Sequence, residues 1–448
     1  MEERQMPIKV GMVSLGCSKN LVDSERMLYK LKSRGYQLVT EPGLADVAVV
    51  NTCGFIKSAK EEAIETILEL GKLKEEGTLK KIIITGCLVE RYKEETAELF
   101  PEADAVIGIG NNKDIVDVLD HALAGEKYIN FAPKLEAELT GERIISTLPF
   151  FTYLKVAEGC SNCCTYCAIP MIRGKFRSVT MEDVIKEAEF LAANGVTELV
   201  VIAQDTSRYG EDLYGESRLP ELLRRLCRIE GLKWIRTLYC YPERITDELL
   251  ETIASEEKLV KYLEIPIQHC DGDILSRMNR WGDEEKLEAL FAHIREKIPG
   301  VILRTTLITG FPGETEEQFN NLAEFIQRVR FDRLGCFAYS REEGTKSYDF
   351  HDQIDEETAA HRADIIMEQQ MLISAENNEK LLDSEFEAVV EGFDKFGECW
   401  FGRTVLDAPD IDGKVFFTSE NPLEIGQYVK IRITDTLDYD LIGEVITE

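Results

Sequence analysis

The chain has 448 residues, with 83 Asp and Glu against 52 Lys and Arg, a formal net charge of −31, and 44% of its residues are hydrophobic. That apolar content excludes wholesale disorder, and no apolar run approaches the roughly 20 residues needed to span a bilayer. The opening MEERQMPIKVGMVSL has no signal-peptide core, so a cytoplasmic protein is expected, with its 12 cysteines as thiols, metal ligands or redox groups rather than disulfides.

At about 150 residues per domain the length suggests about three domains. The runs IKVGMVSL, DVAVVN, KKIIIT and AVIGIG are strand-like, with helical stretches near 20–35, 58–75, 88–98 and 113–123 between and after them. Apolar strands joined by helices predict a doubly wound parallel-sheet α/β domain over 7–125, followed by a linker at 126–148. A second domain, 149–380, repeats the alternation six times, with strands at 152–158, 198–203, 234–239, 262–267, 301–308 and 333–339. Six β/α units predict a partial TIM barrel whose chemistry sits at the strands' C-terminal ends. A helix near 355–382 leads into short, turn-punctuated strands over 381–448, a small antiparallel β-barrel of the OB kind. This last segment carries 5 basic and 16 acidic residues, net −11. Such a surface favours a basic partner, while an acidic chain is a poor general binder of nucleic acid. Trp400, Phe401, Phe416 and Phe417 are read as its inner face and rim rather than as base-stacking groups.

Three cysteines of the first domain each follow a strand: Cys17 after VSLG, Cys53 after VNT and Cys87 after ITG. In a doubly wound sheet those strand ends share one rim, so residues far apart in sequence can meet. Gly16, Gly54 and Gly86 beside them allow close backbone approach. One such cysteine reads as a small buried hydrophobe; three at equivalent positions read as a three-thiolate metal site with an open position, iron–sulfur first and zinc second.

The loop after the first barrel strand, VAEGCSNCCTYCAIPMIRGKFRS, holds Cys160, Cys163, Cys164 and Cys167. All four could form a zinc knuckle, although adjacent Cys163 and Cys164 poorly supply two vertices of one tetrahedron. The other parse is C-x3-C-x2-C from Cys160, Cys164 and Cys167, with Cys163 left over. That motif, placed after the first strand of a six-fold barrel, resembles the radical S-adenosylmethionine enzymes. The resemblance implies a 4Fe-4S cluster whose open iron chelates S-adenosylmethionine and cleaves it to a 5′-deoxyadenosyl radical. It also implies cofactor contacts from Tyr166, from Gln204 and Asp205 after the second strand, and from Gln268 and Arg304, placed toward the same rim. The family's Gly-Gly-Glu after the second strand is missing here. TLITGFPGET (306–315) resembles the segment flanking the adenosyl group, and also reads as a turn opening a helix capped by Thr315. His269 beside Cys270 reads as incidental, and Cys227, Cys240, Cys336 and Cys399 as structural.

Over residues 7–446 the domain order resembles the methylthiotransferases: an N-terminal three-cysteine domain, a radical barrel and a TRAM domain. The resemblance implies two 4Fe-4S clusters, the one on Cys17, Cys53 and Cys87 carrying the sulfur. One S-adenosylmethionine methylates that sulfur and a second yields the radical that opens a substrate C–H bond. Within the family, SLGCSKNLVDSERM (14–27) resembles the type that modifies the β-carbon of an aspartate in small-subunit ribosomal protein S-twelve, and IPMIRGKFRS (169–178) leans the same way. The alternative type acts on a tRNA adenosine beside the anticodon, and the acidic terminal barrel disfavours it. A flavodoxin-like electron donor, a monomer and the absence of a membrane partner complete the expectation. Lys19 and Asn20 are read either as bordering the substrate entrance or as opening a helix. An iron–sulfur carrier and a zinc-binding module are the competing classes, and no Ser–His–Asp or paired-carboxylate signature is present.

Overall fold

Val47–Thr52 is buried at every position because helices cover both faces of its sheet. The computed structural model describes residues 7–446; the reading of the N-terminal residues 1–6, and of the last two residues of the terminal barrel, lies outside the described residues. The first domain contains β1 (Lys9–Ser14), β2 (Gln37–Val39), β3 (Val47–Thr52), β4 (Lys81–Gly86), β5 (Ala105–Ile107) and β6 (Tyr128–Asn130). They form one parallel sheet in the order β2-β1-β3-β4-β5-β6. Helices α1 (Ser18–Arg34), α2 (Lys57–Glu75), α3 (Cys87–Leu99) and α4 (Ile115–Leu123) connect them. The strands β2 and β6 were not expected from the sequence, and β6 lies within the segment 126–148 read as a linker. Three-residue edge strands are too short to show a periodicity.

The second domain is an open parallel sheet, β14-β13-β12-β11-β10-β7. Its strands are β7 (Phe151–Lys155), β10 (Glu198–Ile202), β11 (Trp234–Thr237), β12 (Leu259–Glu264), β13 (Ile302–Thr309) and β14 (Arg333–Ala338), while β8 (Ala157–Glu158) and β9 (Arg177–Ser178) pair across the cysteine loop. The helices are α5 (Ile169–Arg173), α6 (Met181–Ala193), α7 (Glu211–Tyr214), α8 (Leu219–Cys227), α9 (Asp247–Ser255), α10 (Gly272–Arg277), α11 (Glu284–Lys297), α12 (Glu316–Val329) and α13 (Glu356–Glu379). The fourth strand of this sheet, β12, spans 259–264 where 262–267 was expected; it stops short of Pro266, which cannot donate to a ladder. Thr315 caps α12 as expected, and Gln318 completes a reciprocal capping box. Among the described residues no helix is long and apolar enough to cross a membrane.

The terminal barrel closes in the order β15-β16-β17-β19-β18, from β15 (Glu385–Asp394), β16 (Cys399–Thr404), β17 (Val415–Thr418), β18 (Tyr428–Thr436) and β19 (Leu441–Val445). Its pairs are antiparallel except β17 with β19, which is parallel. Alternation along the strands divides the aromatics. Trp400 and Phe417 pair on the core side, whereas Phe401 and Phe416 pair on the outer face. The expectation that all four serve the inner face and rim is corrected for that second pair, which joins exposed Phe393 and Phe396.

The loop between β16 and β17 seals the starting ends of the central strands. Asp412 binds Arg304 and the Tyr262 hydroxyl, each at 2.6 Å, Asp407 binds Arg333 at 2.6 Å, and Tyr153 donates to Asp410 at 2.8 Å. Buried Arg403 pairs with Glu198, the first residue of β10, at 2.8 Å. Closing this end leaves the C-terminal strand ends as the place for chemistry.

Candidate active site at the facing strand ends

Cys17 follows β1, Cys53 follows β3 and Cys87 opens α3 after β4, three strands adjacent in one sheet. The loops carrying them are packed backbone against backbone. A Cβ on Gly16, which has φ +86°, would lie 2.7 Å from the Cys53 Cβ, and one on Gly86, with φ +102°, would lie 2.5 Å from Thr52 N. A side chain at either glycine would push the cysteines apart. Asn20 fastens the same loops: its amide donates to Leu15 O and Thr52 O, both at 2.9 Å. Burial pushes the Cys87 thiol up to about 12, and the neighbouring Cys17 and Cys53 oppose its ionisation further. Such thiols become thiolates when a metal supplies compensating charge.

On the central domain, Cys160, Cys164 and Cys167 lie on the loop after β8. Burial raises Cys160 to about 11 and Cys167 well above the usual thiol range, and the neighbouring Cys164 pushes both further up. Asn162 pins this loop, donating to Asp205 at 2.8 Å and accepting from Arg208 at 3.0 Å. Cys163 is exposed with φ +55°, turned away from the trio's buried members. The two trios are neighbours, since Cys87 packs with Ala168 and Ile172, and Ala168 directly follows Cys167.

A cubane cluster offers each sulfur its own iron and leaves one iron open when three thiols bind it, so two all-cysteine trios fit iron–sulfur clusters.

The remaining expected site residues divide. Tyr166 is packed beside Ile274, Met278 and Phe311, and Cys164 and Cys167 lie near its hydroxyl. Gln204 sits at the rim and donates to Glu158 at 2.9 Å, leaving its carbonyl oxygen without a partner among the described residues. Gln268 is buried at the β12 exit with φ +72°. Asp205 is fully buried and engaged by Asn162, Ser207 and Arg244, so it holds the cysteine loop instead of facing a ligand. Arg304 was expected toward the rim; it stands third in β13 and is bound to Asp412 of the terminal barrel. Only the docking of two domains reveals that partner.

A buried ionic network at the junction of the trios was not foreseen. Arg173 on α5 binds Asp23 at 2.6 Å, Glu158 at 3.3 Å and Cys87 Sγ at 3.3 Å, and also Asn20 Oδ1. Lys155 binds Glu158 at 2.8 Å and also Asp23. Burial pushes Glu158 upward, but Lys155 and Arg173 override it and hold the carboxyl well below its usual range. A lysine inside the otherwise apolar strand TYLKV was the available signal. Arg280 was missed too: it lies over the Tyr241 ring at 4.1 Å, with Cys164 Sγ 3.9 Å away.

Family models match the chain in the same three parts: the uncharacterized protein family UPF0004 over 9–108, the Radical SAM superfamily over 154–326 and the TRAM domain over 384–446. A relative from Acetivibrio thermocellus named ribosomal protein uS12 methylthiotransferase RimO is 47% identical, covering 99% of each chain. One of the same name from Geobacter sulfurreducens is 46% identical over 98% of this chain and 99% of its own. Among solved structures, the radical S-adenosylmethionine methyltransferase TsrM from Kitasatospora setae shares the fold with TM-score 0.58 at 14% identity, covering 76% of this chain and 74% of its own. With near-complete coverage at such identity and all six cysteines at two adjoining strand rims, the chain belongs to the RimO family of radical S-adenosylmethionine methylthiotransferases.

Proposed function

We propose that this chain adds a methylthio group to the β-carbon of an aspartate in ribosomal protein uS12, using S-adenosylmethionine as methyl donor and as radical source. The observation that supports the reading is the cluster Cys87 forms with Ala168 and Ile172, since Ala168 follows Cys167 and Cys87 belongs to the other domain. We assign Cys17, Cys53 and Cys87 to one 4Fe-4S cluster and Cys160, Cys164 and Cys167 to the other, across units 7–125, 149–380 and 381–448. When bound, the two clusters supply the electron that cleaves S-adenosylmethionine and the iron that carries the sulfur. Tyr166 lines the cofactor side, Gln204 and Gln268 offer polar groups at the rim, and Asp205 holds the loop through Asn162. Arg173 donates to Cys87 and orients it, while the seal of Asp407, Asp410 and Asp412 keeps water from entering through the far end.

The acidic terminal barrel recruits the basic substrate. Of its five basic residues, Arg403 is buried against Glu198, and Lys430 and Arg432 are neutralised by Glu385. Asp435, Asp438 and Glu444 are exposed, whereas Asp440 accepts from Lys414 N at 2.7 Å and belongs to the fold. The protein works as a cytoplasmic monomer with a flavodoxin-like donor. A tRNA substrate is the second reading, favoured only by the outer face of Phe393, Phe396, Phe401 and Phe416 with Lys395 and Lys414. Anaerobically reconstituted protein, given uS12 and tRNA separately, decides between them. The expected result is the combined sulfur-and-methyl mass increment on uS12; an increment on tRNA alone overturns the reading.

A further inference from the structure

Lys19 stands two residues after Cys17, in the first turn of α1, and is 5% exposed. Its ammonium lies 3.1 Å from the centroid of the Tyr239 ring, and Tyr239 follows β11 at the open end of the central sheet. Leu21, Val22 and Tyr239 pack together with Val200, Ile202 and Leu238, so α1 leans into the strand ends of the barrel. The cation of the first domain therefore lies over the strand ends of the second.

The other cations near that space are occupied. Arg173 and Lys155 share Asp23 and Glu158, and Arg280 donates to Pro266 O. Among the described residues, no carboxylate comes within ion-pairing distance of Lys19 Nζ. Glu264 is the near acid, but its Oε2 accepts from Tyr239 N at 3.0 Å and its Oε1 faces Arg304 at 3.8 Å. An ammonium on a largely buried side chain, held by a ring face and by no carboxylate, is an unfinished ion pair.

We infer that Lys19 is a specificity-determining residue that pairs with the side-chain carboxylate of the substrate aspartate. This rests on the proposed function and deepens it. A carboxylate is joined directly to the carbon that reacts, so anchoring it fixes that carbon beside Cys17 on one side and the radical loop on the other. Tyr239 holds the ammonium in place before substrate arrives. An asparagine in the same position would offer no charge, and the pair would be lost.

Binding of two synthetic uS12 peptides to the reconstituted holoenzyme tests this, one carrying the target aspartate and the other asparagine in its place. The wild type is expected to prefer the aspartate peptide by about tenfold or more, the size of a charge-assisted hydrogen bond. Lys19→Met is expected to bind both peptides within about twofold of each other, and Lys19→Arg to restore the preference. Iron content and Tm, measured on each variant, show that the fold and clusters survive. A Lys19→Met enzyme that keeps iron and still discriminates overturns the inference, as does a wild type that binds the two peptides equally. If the wild type binds neither peptide and leaves intact uS12 unmodified, the substrate reading itself falls, and the role of Lys19 with it.

Discussion

Arg173 donates to the sulfur of Cys87 at 3.3 Å although 86 positions and a domain boundary separate them. The same guanidinium holds Asp23 and Glu158, one from each domain. One side chain thus ties the Cys87 thiol to both domains at their junction. Replacing it with alanine leaves two buried carboxylates sharing Lys155, which costs about 3–5 kcal/mol. Arg173→Ala is expected to melt lower and to lose iron from the N-terminal trio. Arg173→Lys keeps the charge without the planar fork and should fall between. Calorimetry and iron analysis check both.

The two parses of the cysteine loop give opposite results on substitution. Replacing Cys160, Cys164 or Cys167 with alanine should halve the iron bound after anaerobic reconstitution, as should replacing Cys17, Cys53 or Cys87. Cys163 is exposed with positive φ, a conformation glycine adopts without strain. Cys163→Gly should therefore keep all its iron and its visible absorption. Loss of half the iron in that variant would return the knuckle parse.

Asp412 joins the terminal barrel to Arg304 and Tyr262. In Asp412→Ala, Arg304 keeps only the distant Glu264, at 3.8 Å. Removing one partner of so buried a pair destabilises by about 3–5 kcal/mol. The urea midpoint should fall accordingly, and limited proteolysis should release the terminal barrel sooner than in the wild type.

His269 is fully buried, and burial lowers its pKa from the ordinary 6.5 to about 4. Its Nδ1 accepts from Asp271 N at 3.0 Å, which fixes the neutral ring. As pH falls below 6.5 the unfolded chain takes up this proton first, so folding stability drops down to pH 4, by about 3 kcal/mol in all. Glu314, raised by burial to about 6, acts in the opposite sense, since its folded form keeps a proton that the unfolded chain releases above its ordinary 4.5. Comparing urea midpoints at pH 7 and pH 4.5 isolates the histidine: the acid-induced loss should shrink in His269→Gln.

Charge on the terminal barrel is tested separately from chemistry. Neutralising Asp435, Asp438 and Glu444, all exposed, should weaken uS12 binding and flatten its dependence on salt. Asp440 is left alone because it caps the backbone of Lys414. An unchanged salt titration removes the recruitment role and leaves the cysteine chemistry untouched.

What could be read from the sequence is what is encoded locally. Apolar runs of strand length, the helices between them and the placement of Cys17, Cys53 and Cys87 after strands all depend on neighbours a few positions away, and parallel β/α topology then dictates a shared rim. Cys160, Cys164 and Cys167 needed only their spacing. The tertiary structure alone decided the partners of charged groups. Nothing near Arg304 in sequence announces Asp412, and nothing near Cys87 announces Arg173, because each pair exists only once two domains dock. The same holds for Lys19, whose sequence neighbours place it at the start of a helix, while docking turns that helix so that its cation is buried over Tyr239. Periodicity reports which face of an element is apolar; burial of an ion is decided by whatever arrives from elsewhere in the chain to surround it.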